Sequence, residues 1–453
     1  MAEGFLREYR HKRDPSRTPE PFGAAPRRSA GNGAGVGGFV VQQHAARRMH
    51  WDLRLEIAGV LVSWAVPRGP SPNPMEKRLA VQTEDHPLEY ADFEGIIPPG
   101  NYGAGAMIVW DRGTYRALDG AASADALARG KLDLDMRGYK LRGRWTLVRT
   151  KGEGGKNWLL MKKADDHATA AELVVAQPAS VLSGLTIEEL KTQTRRTPQL
   201  VAAAQAAGAR RRALDGAALS PMLAETADRP FSKAGWLFEL KYDGVRVLAV
   251  RAPSGPVCLR YRTGRDTTAS FPEIARAAAH LPCDDCIVDG EICALDDRGA
   301  SSFELIQQHL GLTDAAAIAR ASLEVPVVMF CFDLLAVAGY DLCSLPLRTR
   351  KKLLRMLVPA VGVLRYAEHF EHEGTALFDA ARDLGLEGIV AKRADSGYQQ
   401  GRRSRDWLKI KVQRTADVAI VGYTRGKGSR RDLGALMTAW YKDGELVYAG
   451  NVG

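Results

Sequence analysis

The chain has 453 residues, 45% of them hydrophobic, enough for two or three domains with real cores. A net charge of +10 and a pI near 9.3 favour a polyanionic partner. Six cysteines demand no oxidising compartment, residues 1–17 are too polar for a signal peptide, and no apolar run can span a bilayer. The expected place is cytoplasmic, nucleoid-associated, with no membrane partner. Residues 1–38 are rich in Arg, Pro and Gly and read as loop. Gly33-Ala34-Gly35-Val36-Gly37-Gly38 matches G-x-G-x-x-G, but it precedes a strand and opens no helix, so a dinucleotide fingerprint fails on context.

From 39 to 163 the pattern is β. Strand-like runs at 39–41, 51–57, 60–66, 78–83, 107–110, 145–149 and 158–162 are separated by Gly and Pro turns, predicting a compact barrel over 1–163. His50, Asp52, Arg54 and Glu56 fall on one strand face; Trp51, Leu53, Leu55 and Ile57 fall on the other. Counting by two again puts Arg78, Gln82, Glu84 and His86 on one face. With His44 upstream, His44, His50 and Asp52 make a two-imidazole, one-carboxylate set suited to Mn²⁺ or another divalent transition metal. Arg54 and Arg78 can clamp a phosphate bidentately, and His86 can stabilise a transition state or protonate a leaving oxygen. A polar outer face is the bland reading of one such strand; two strands carrying His and Arg weigh against it.

Residues 164–215, rich in Ala, Gln, Thr and Arg, predict a partly helical linker. A second domain of mixed strands and helices follows over 216–412. Within it, Lys241-Tyr242-Asp243-Gly244-Val245-Arg246 reads K-x-D-G-x-R after a strand-like run, and Glu239 shares a strand face with Lys241. A lysine amine, once deprotonated, can attack a nucleotide α-phosphorus. Downstream come Arg262 at a strand end, Glu291 in Val-Asp-Gly-Glu, Phe332 in Cys-Phe-Asp, and Glu387 in Glu-Gly-Ile-Val-Ala-Lys. Lys409 and Lys411 follow in Trp-Leu-Lys-Ile-Lys, on one face. Attack at an α-phosphate builds charge on its oxygens and on departing pyrophosphate; lysines, an arginine and Mg²⁺ on carboxylates answer that charge. Cys283 and Cys286 have C-x-x-C spacing but no second pair, and read as a loop with two thiols. Residues 413–453 show short strands with Gly turns, the start of a small barrel. Within them, the run from Gly422 to Gly428 is a near miss for a P-loop.

The ordered set from Lys241 to Lys411 resembles the covalent nucleotidyltransferases, closely the ATP-dependent DNA ligases. The resemblance implies Lys241 as the adenylated nucleophile and Glu291 and Glu387 as Mg²⁺-associated acids. It makes Phe332 the adenine-stacking ring, Glu239 a reader of adenine, Arg246 and Arg262 contacts to ribose or phosphates, and Lys409 and Lys411 phosphate contacts. The first domain resembles the 3′-phosphoesterase domain of bacterial ligase D, through Leu6-Arg7-Glu8-Tyr9-Arg10, Lys12-Arg13-Asp14, Thr18-Pro19-Glu20-Pro21, Phe39-Val40-Val41-Gln42, His44-Ala45-Ala46-Arg47-Arg48, Ser63-Trp64-Ala65-Val66-Pro67 and Glu84-Asp85-His86-Pro87-Leu88-Glu89-Tyr90. That resemblance implies His44, His50 and Asp52 as metal ligands. It adds Arg13, Asp14, Glu20, Arg54, Arg78, Glu84, His86 and Tyr90 as supporting and phosphate-binding positions. Trp51 stands where the family often has Tyr, facing away from the site.

The implied architecture is multidomain: a β-barrel phosphoesterase, an α+β, ATP-grasp-like ligase core and a partial OB-fold. The implied cofactors are ATP, Mg²⁺ for the ligase part and Mn²⁺ or a similar ion for the barrel. The implied partners are double-stranded DNA ends, nicked DNA and the bacterial Ku end-binding protein. Two departures accompany the resemblance: no primase-polymerase module is present, and the OB-fold's last motif is absent from this sequence. An RNA ligase, a GTP-using capping enzyme and a catalytically inactive DNA-end scaffold are the competing readings.

Overall fold

The structure is a computed structural model; it describes residues 6–23, 35–119, 123–152, 154–192, 196–412, 418–425, 434–442 and 444–452. Part of the Gly31–Gly38 cluster, the start of the last segment near Thr415, and residues 426–428 of the P-loop-like run lie outside the described residues. The chain divides into two compact units, Met1–Ile410 and Lys411–Gly453.

The first unit opens with a barrel. Its strands are β1 (Val36–Ala45), β2 (Met49–Ile57), β3 (Val60–Val66), β4 (Lys77–Gln82), β5 (Gly95–Ile97), β6 (Gly105–Ala117), β7 (Lys131–Gly138), β8 (Arg142–Arg149) and β9 (Asn157–Lys162). Pairing runs β1-β2-β3-β4-β9-β8-β7-β6 and closes through β6 on β1, with β5 beside β6. Closure removes the free edges that an open sheet would expose. The β2–β3 hairpin turns at Ala58 and Gly59, both at positive φ (52° and 84°), the two-residue geometry that matches strand twist. Alternation then sorts the strands. Trp51, Leu53 and Leu55 join Val62, Trp64, Leu134, Trp145, Trp158 and Leu160 in one interior core. Trp64 and Trp158 meet edge to face at 5.6 Å, a pair worth about 0.5–1.5 kcal/mol beyond its buried area.

The stretch 164–215 departs from the expected linker. Val181, Leu182, Leu200 and Ala204 are fully buried in a core that also contains Val40 and Val109 of the barrel and Phe271, Ile274 and Leu353 beyond it. Its helices are short, Ile187–Lys191 with a Thr186/Glu189 capping box and Thr197–Ala206. Composition suggested a linker because Ala dominates, yet small apolar side chains pack as well as large ones when a neighbour fits them.

Two sheets follow. One runs Arg210–Arg211, Tyr340–Asp341, Val327–Val337, Cys286–Leu295, Val245–Arg251, Cys258–Tyr261, with two short side pairings. The other runs Leu223–Thr226, Arg403–Lys411, Gly388–Arg393, Trp236–Leu240, Phe370–Glu371. Phe238, Ile389, Ala391 and Ile410 of the second sheet pack with Leu377 and Ala381 of the helix Gly374–Asp383. That burial turns the alternate residues, Glu239, Lys241, Lys392, Trp407 and Lys409, to the opposite face. The fold is α+β, as expected.

The second unit, by itself, contains a three-stranded antiparallel sheet of Ala419–Thr424, Ala435–Lys442 and Glu445–Val452. No helix among the described residues is long and apolar enough to cross a membrane.

Candidate active sites

The barrel's polar cluster is built on its outer wall. β1 and β2 pair so that His44 stands opposite His50 and Gln42 opposite Asp52. His44 Nε2 lies 2.8 Å from the Gly103 carbonyl, and His50 Nδ1 lies 3.0 Å from the Arg48 carbonyl. Each carbonyl can only accept, so each of those nitrogens carries the proton. The remaining lone pairs, on His44 Nδ1 and His50 Nε2, then face Asp52 at 3.7 and 3.6 Å. The three candidate ligand atoms lie within 4.8 Å of one another. Outer-nitrogen pinning of this kind sets tautomer and ring direction for a metal. Burial raises the Asp52 pKa, but the Arg54 guanidinium and the two imidazoles more than offset it and hold the carboxyl near 2. The donor set therefore fits a divalent transition metal.

Beside it, Arg54 is almost wholly buried, and each of its three guanidinium nitrogens has a partner, Nη2 only one. It donates to Gln42 Oε1 (2.7 Å), Ser63 Oγ (2.9 Å) and Asp52 (3.1 Å), and its Nη1 lies 3.0 Å from His86 Nδ1. Arg13 approaches the other ring nitrogen of His86 at 3.4 Å. Glu20 (2.8 Å) and Glu84 (3.1 Å) hold Arg13, and Tyr90 donates to Glu20 at 2.8 Å. Burial, then the Arg54 and Arg13 charges, pull the His86 pKa well below its ordinary value. That field opposes an imidazolium acid and leaves His86 as a neutral hydrogen-bonding ring.

In the second cluster, Lys241 Nζ pairs with Glu387 at 2.5 Å. Three fixtures hold the loop that carries it. Tyr242 stacks on Phe330 at 3.8 Å, and the Asp243 amide donates to Ser301 Oγ at 3.0 Å. Gly244 passes so close to the Ile292 carbonyl that a Cβ would not fit. Arg246 pairs across strands with Glu291. Burial pushes the Glu291 carboxyl up to about 8, against the pull of Arg246 and Lys241, with Asp289 and Glu387 adding to the rise. A desolvated carboxylate in the field of Glu387 and Asp289 gains from a divalent cation. Arg246 itself donates to Asp289 (3.0 and 2.7 Å) and to the Met222 carbonyl (2.7 Å), so most of its donors serve to brace strands. Lys351 (2.5 Å) and Lys392 (2.7 Å) clamp Glu239. Phe332 and Trp407 hold the Lys392 ammonium at 4.2 and 4.3 Å from their ring centres. Lys409 and Lys411 alternate with Ile410 along Arg403–Lys411.

Residues 42–149 match the family described as the DNA ligase D 3′-phosphoesterase domain, and residues 221–411 match the ATP dependent DNA ligase domain. The multifunctional non-homologous end joining protein LigD of Pseudomonas aeruginosa is 39% identical over 99% of this chain and 52% of its own length. The chain carries a ligase D-type 3′-phosphoesterase domain followed by an ATP-dependent DNA ligase domain. The LigD of Mycobacterium tuberculosis, a multifunctional non-homologous end joining DNA repair protein, is 37% identical over 99% of the chain and 51% of its own. The chain thus spans about half the length of these curated relatives. Among solved structures, mycobacterial DNA ligase D complexed with ATP and MES is 35% identical, covers 53% of this chain and 74% of that one, and has a TM-score of 0.40.

Three expectations need correction. Arg78 does not join Arg54. It pairs with Leu160 across β4–β9, so it shares the interior face of the barrel wall, and it binds Glu76 and, at 3.0 Å, Glu172. β4 ends at Gln82, and His86 is held separately by a bridge to Leu61, so counting by two from Arg78 to His86 crosses a break. Arg13 stands where the second arginine was expected. Asp14 is also outside the pocket: it is exposed and caps a turn at Ser16. Arg262 lies in an exposed turn after Cys258–Tyr261 and makes no hydrogen bond or ion pair among the described residues. Sequence reasoning missed Lys351 and Tyr398, which donates to Asp289 at 2.6 Å behind Arg246. Lys351 is one of several basic residues on the amphipathic helix Leu347–Leu357, and no local pattern distinguishes it.

Proposed function

We propose that this chain trims 3′ ends of DNA and seals nicks, with the barrel and the second domain as separate catalytic centres. The observation that carries the reading is the coexistence of the Lys241–Glu387 pair beside Glu291 with the His44, His50 and Asp52 set flanked by Arg54, His86 and Arg13.

In sealing, the Lys241 amine attacks the α-phosphorus of ATP. A nitrogen–phosphorus bond forms, the bond to the β-phosphate oxygen breaks, and pyrophosphate leaves. AMP then passes to the 5′-phosphate of a nick, and the 3′-hydroxyl displaces it. Mg²⁺ held by Glu291 and Glu387 would neutralise phosphate charge and compete with Lys241 for the Glu387 carboxylate. Lys409 and Lys411 meet the phosphates, Phe332 and Glu239 the adenine, and Arg246 braces the strand that carries both Asp289 and Glu291. The fixtures at Tyr242, Asp243 and Gly244 keep the lysine aimed without reorganisation.

In end trimming, the barrel prepares the 3′-hydroxyl that sealing needs, by releasing 3′-phosphate or a terminal ribonucleotide. Arg54 and Arg13 orient the phosphate, and His86, set between the two guanidiniums, positions them. A transition metal on His44, His50 and Asp52 would supply Lewis acidity at that phosphate. The Ku end-binding protein is the partner this reading implies. Labelling with α-labelled ATP against α-labelled GTP tests it: an adduct from ATP alone is expected, and one from GTP would favour a capping-type enzyme.

Nicked duplex should bind with steep salt dependence. For roughly six neutralised phosphates, affinity is expected to fall about 1,000-fold between about 50 and 200 mM salt. Fluorescence titrations across that range check it, and a flat response would point to a small-molecule enzyme.

A further inference from the structure

The barrel and the adenylation domain meet along a seam rich in arginine. Most of these arginines have acidic partners: Arg112 and Arg276 both pair with Asp92. Two do not. Arg365 lies on the strand Leu364–Tyr366, opposite Phe330 in the neighbouring strand. Its guanidinium sits 5.9 Å from the Phe330 ring centre and 5.9 Å from that of Tyr139, in the barrel's β7–β8 turn. Its Nε donates to the Gly362 carbonyl at 3.2 Å. Arg142, at the start of β8, donates through Nε to the Gly138 carbonyl at 3.1 Å. Among the described residues, no acceptor meets the terminal nitrogens of either side chain and no carboxylate lies within ion-pair reach.

Arg365 is half-buried and Arg142 exposed at the edge of the same seam, and their like charges repel. Burial pulls the Arg365 pKa below its ordinary value, and the Arg142 charge pulls the same way against the opposing effect of Tyr139. Such an arrangement is unfavourable unless an anion completes it, and planar guanidinium forks match phosphate oxygens in charge and geometry. We propose that Arg142 and Arg365 form a phosphate site in this seam, filled by a phosphodiester of the DNA backbone lying across both domains. The occupant rests on the reading that the chain binds DNA. A backbone phosphate fits because the site is open on the Arg142 side, while Arg365 reaches Phe330, the ring that stacks on Tyr242 beside Lys241.

The test is equilibrium binding of a nicked duplex by the full chain over a salt series, with Arg365→Ala and Arg142→Glu. Loss of one phosphate contact should lower the slope of log affinity against log salt by about 0.9 and weaken binding several-fold at about 0.1 M salt. Arg142→Glu should melt no lower than wild type, because it gives Arg365 the carboxylate it lacks; this separates a binding role from a folding role. An unchanged slope in both variants overturns the site while leaving the DNA reading standing. A wild type that binds no duplex overturns the DNA reading and this site with it. Thermal protection by inorganic phosphate that disappears in Arg365→Ala, with the duplex slope intact, would assign the site to free phosphate and overturn the duplex assignment.

Discussion

Lys241→Ala should carry no covalent AMP after incubation with ATP, yet release 3′-phosphate from a primer at the wild-type rate. The loss should be complete, because no other group at that position can form the nitrogen–phosphorus bond. Lys241→Arg should fail as fully. It keeps a cation for Glu387, but a guanidinium does not deprotonate near neutral pH. Folding should survive either change, since Lys241 lies on a partly exposed loop outside the packed cores. The barrel has its own closed sheet and interior core, so its chemistry does not depend on the lysine. Intact-mass measurement reads the adduct and a labelled primer reads the phosphatase. An adduct that persists in the alanine variant would remove Lys241 from the role of nucleophile.

His50→Ala should depress metal-dependent 3′-phosphate release by at least 100-fold at low metal and leave AMP transfer to Lys241 untouched. Loss of an outer-sphere partner alone typically costs 10- to 100-fold in metal affinity or activity, so about 100-fold is a floor for a direct ligand. Asp52→Ala should do the same, with a complication. Asp52 accepts from buried Arg54, so its removal leaves a guanidinium short of its counter-charge, and about 3–5 kcal/mol of stability is at risk. His50 is more exposed and leaves no stranded charge, which makes it the cleaner variant. Excess Mn²⁺ should restore part of the His50→Ala activity. Wild-type turnover at low metal in His50→Ala would reduce the cluster to surface decoration.

The barrel was legible because its interior residues alternate without interruption, as from Trp51 to Ile57. The metal set was legible for the same reason: a hairpin brings His44 opposite His50, and both precede the break in periodicity. Arg78 was not, because a strand's facing rule lapses where the strand ends, here at Gln82. The buried lysine at position 351 was invisible for a different reason. Its partner Glu239 lies 112 residues away, and nothing local on an amphipathic helix marks Arg350 and Lys351 as the basic residues that turn inward. The stretch 164–215 misled through composition, since its contribution is a matter of shape fit between side chains of distant segments.

The buried residues of that stretch bear on how the molecule comes apart. Val181 and Leu200 share one core with Val109 of the barrel and Phe271 of the adenylation fold. The Ser180 hydroxyl and the Val109 amide both donate to Glu94. Ordering of one catalytic half is therefore paid partly by contacts with the other, and the two are thermodynamically linked. Occupancy of the nucleotide pocket would slow hydrogen exchange at barrel amides such as that of Val109, far from any bound atom. Excised alone, the barrel would carry an apolar scar where the adenylation fold had been.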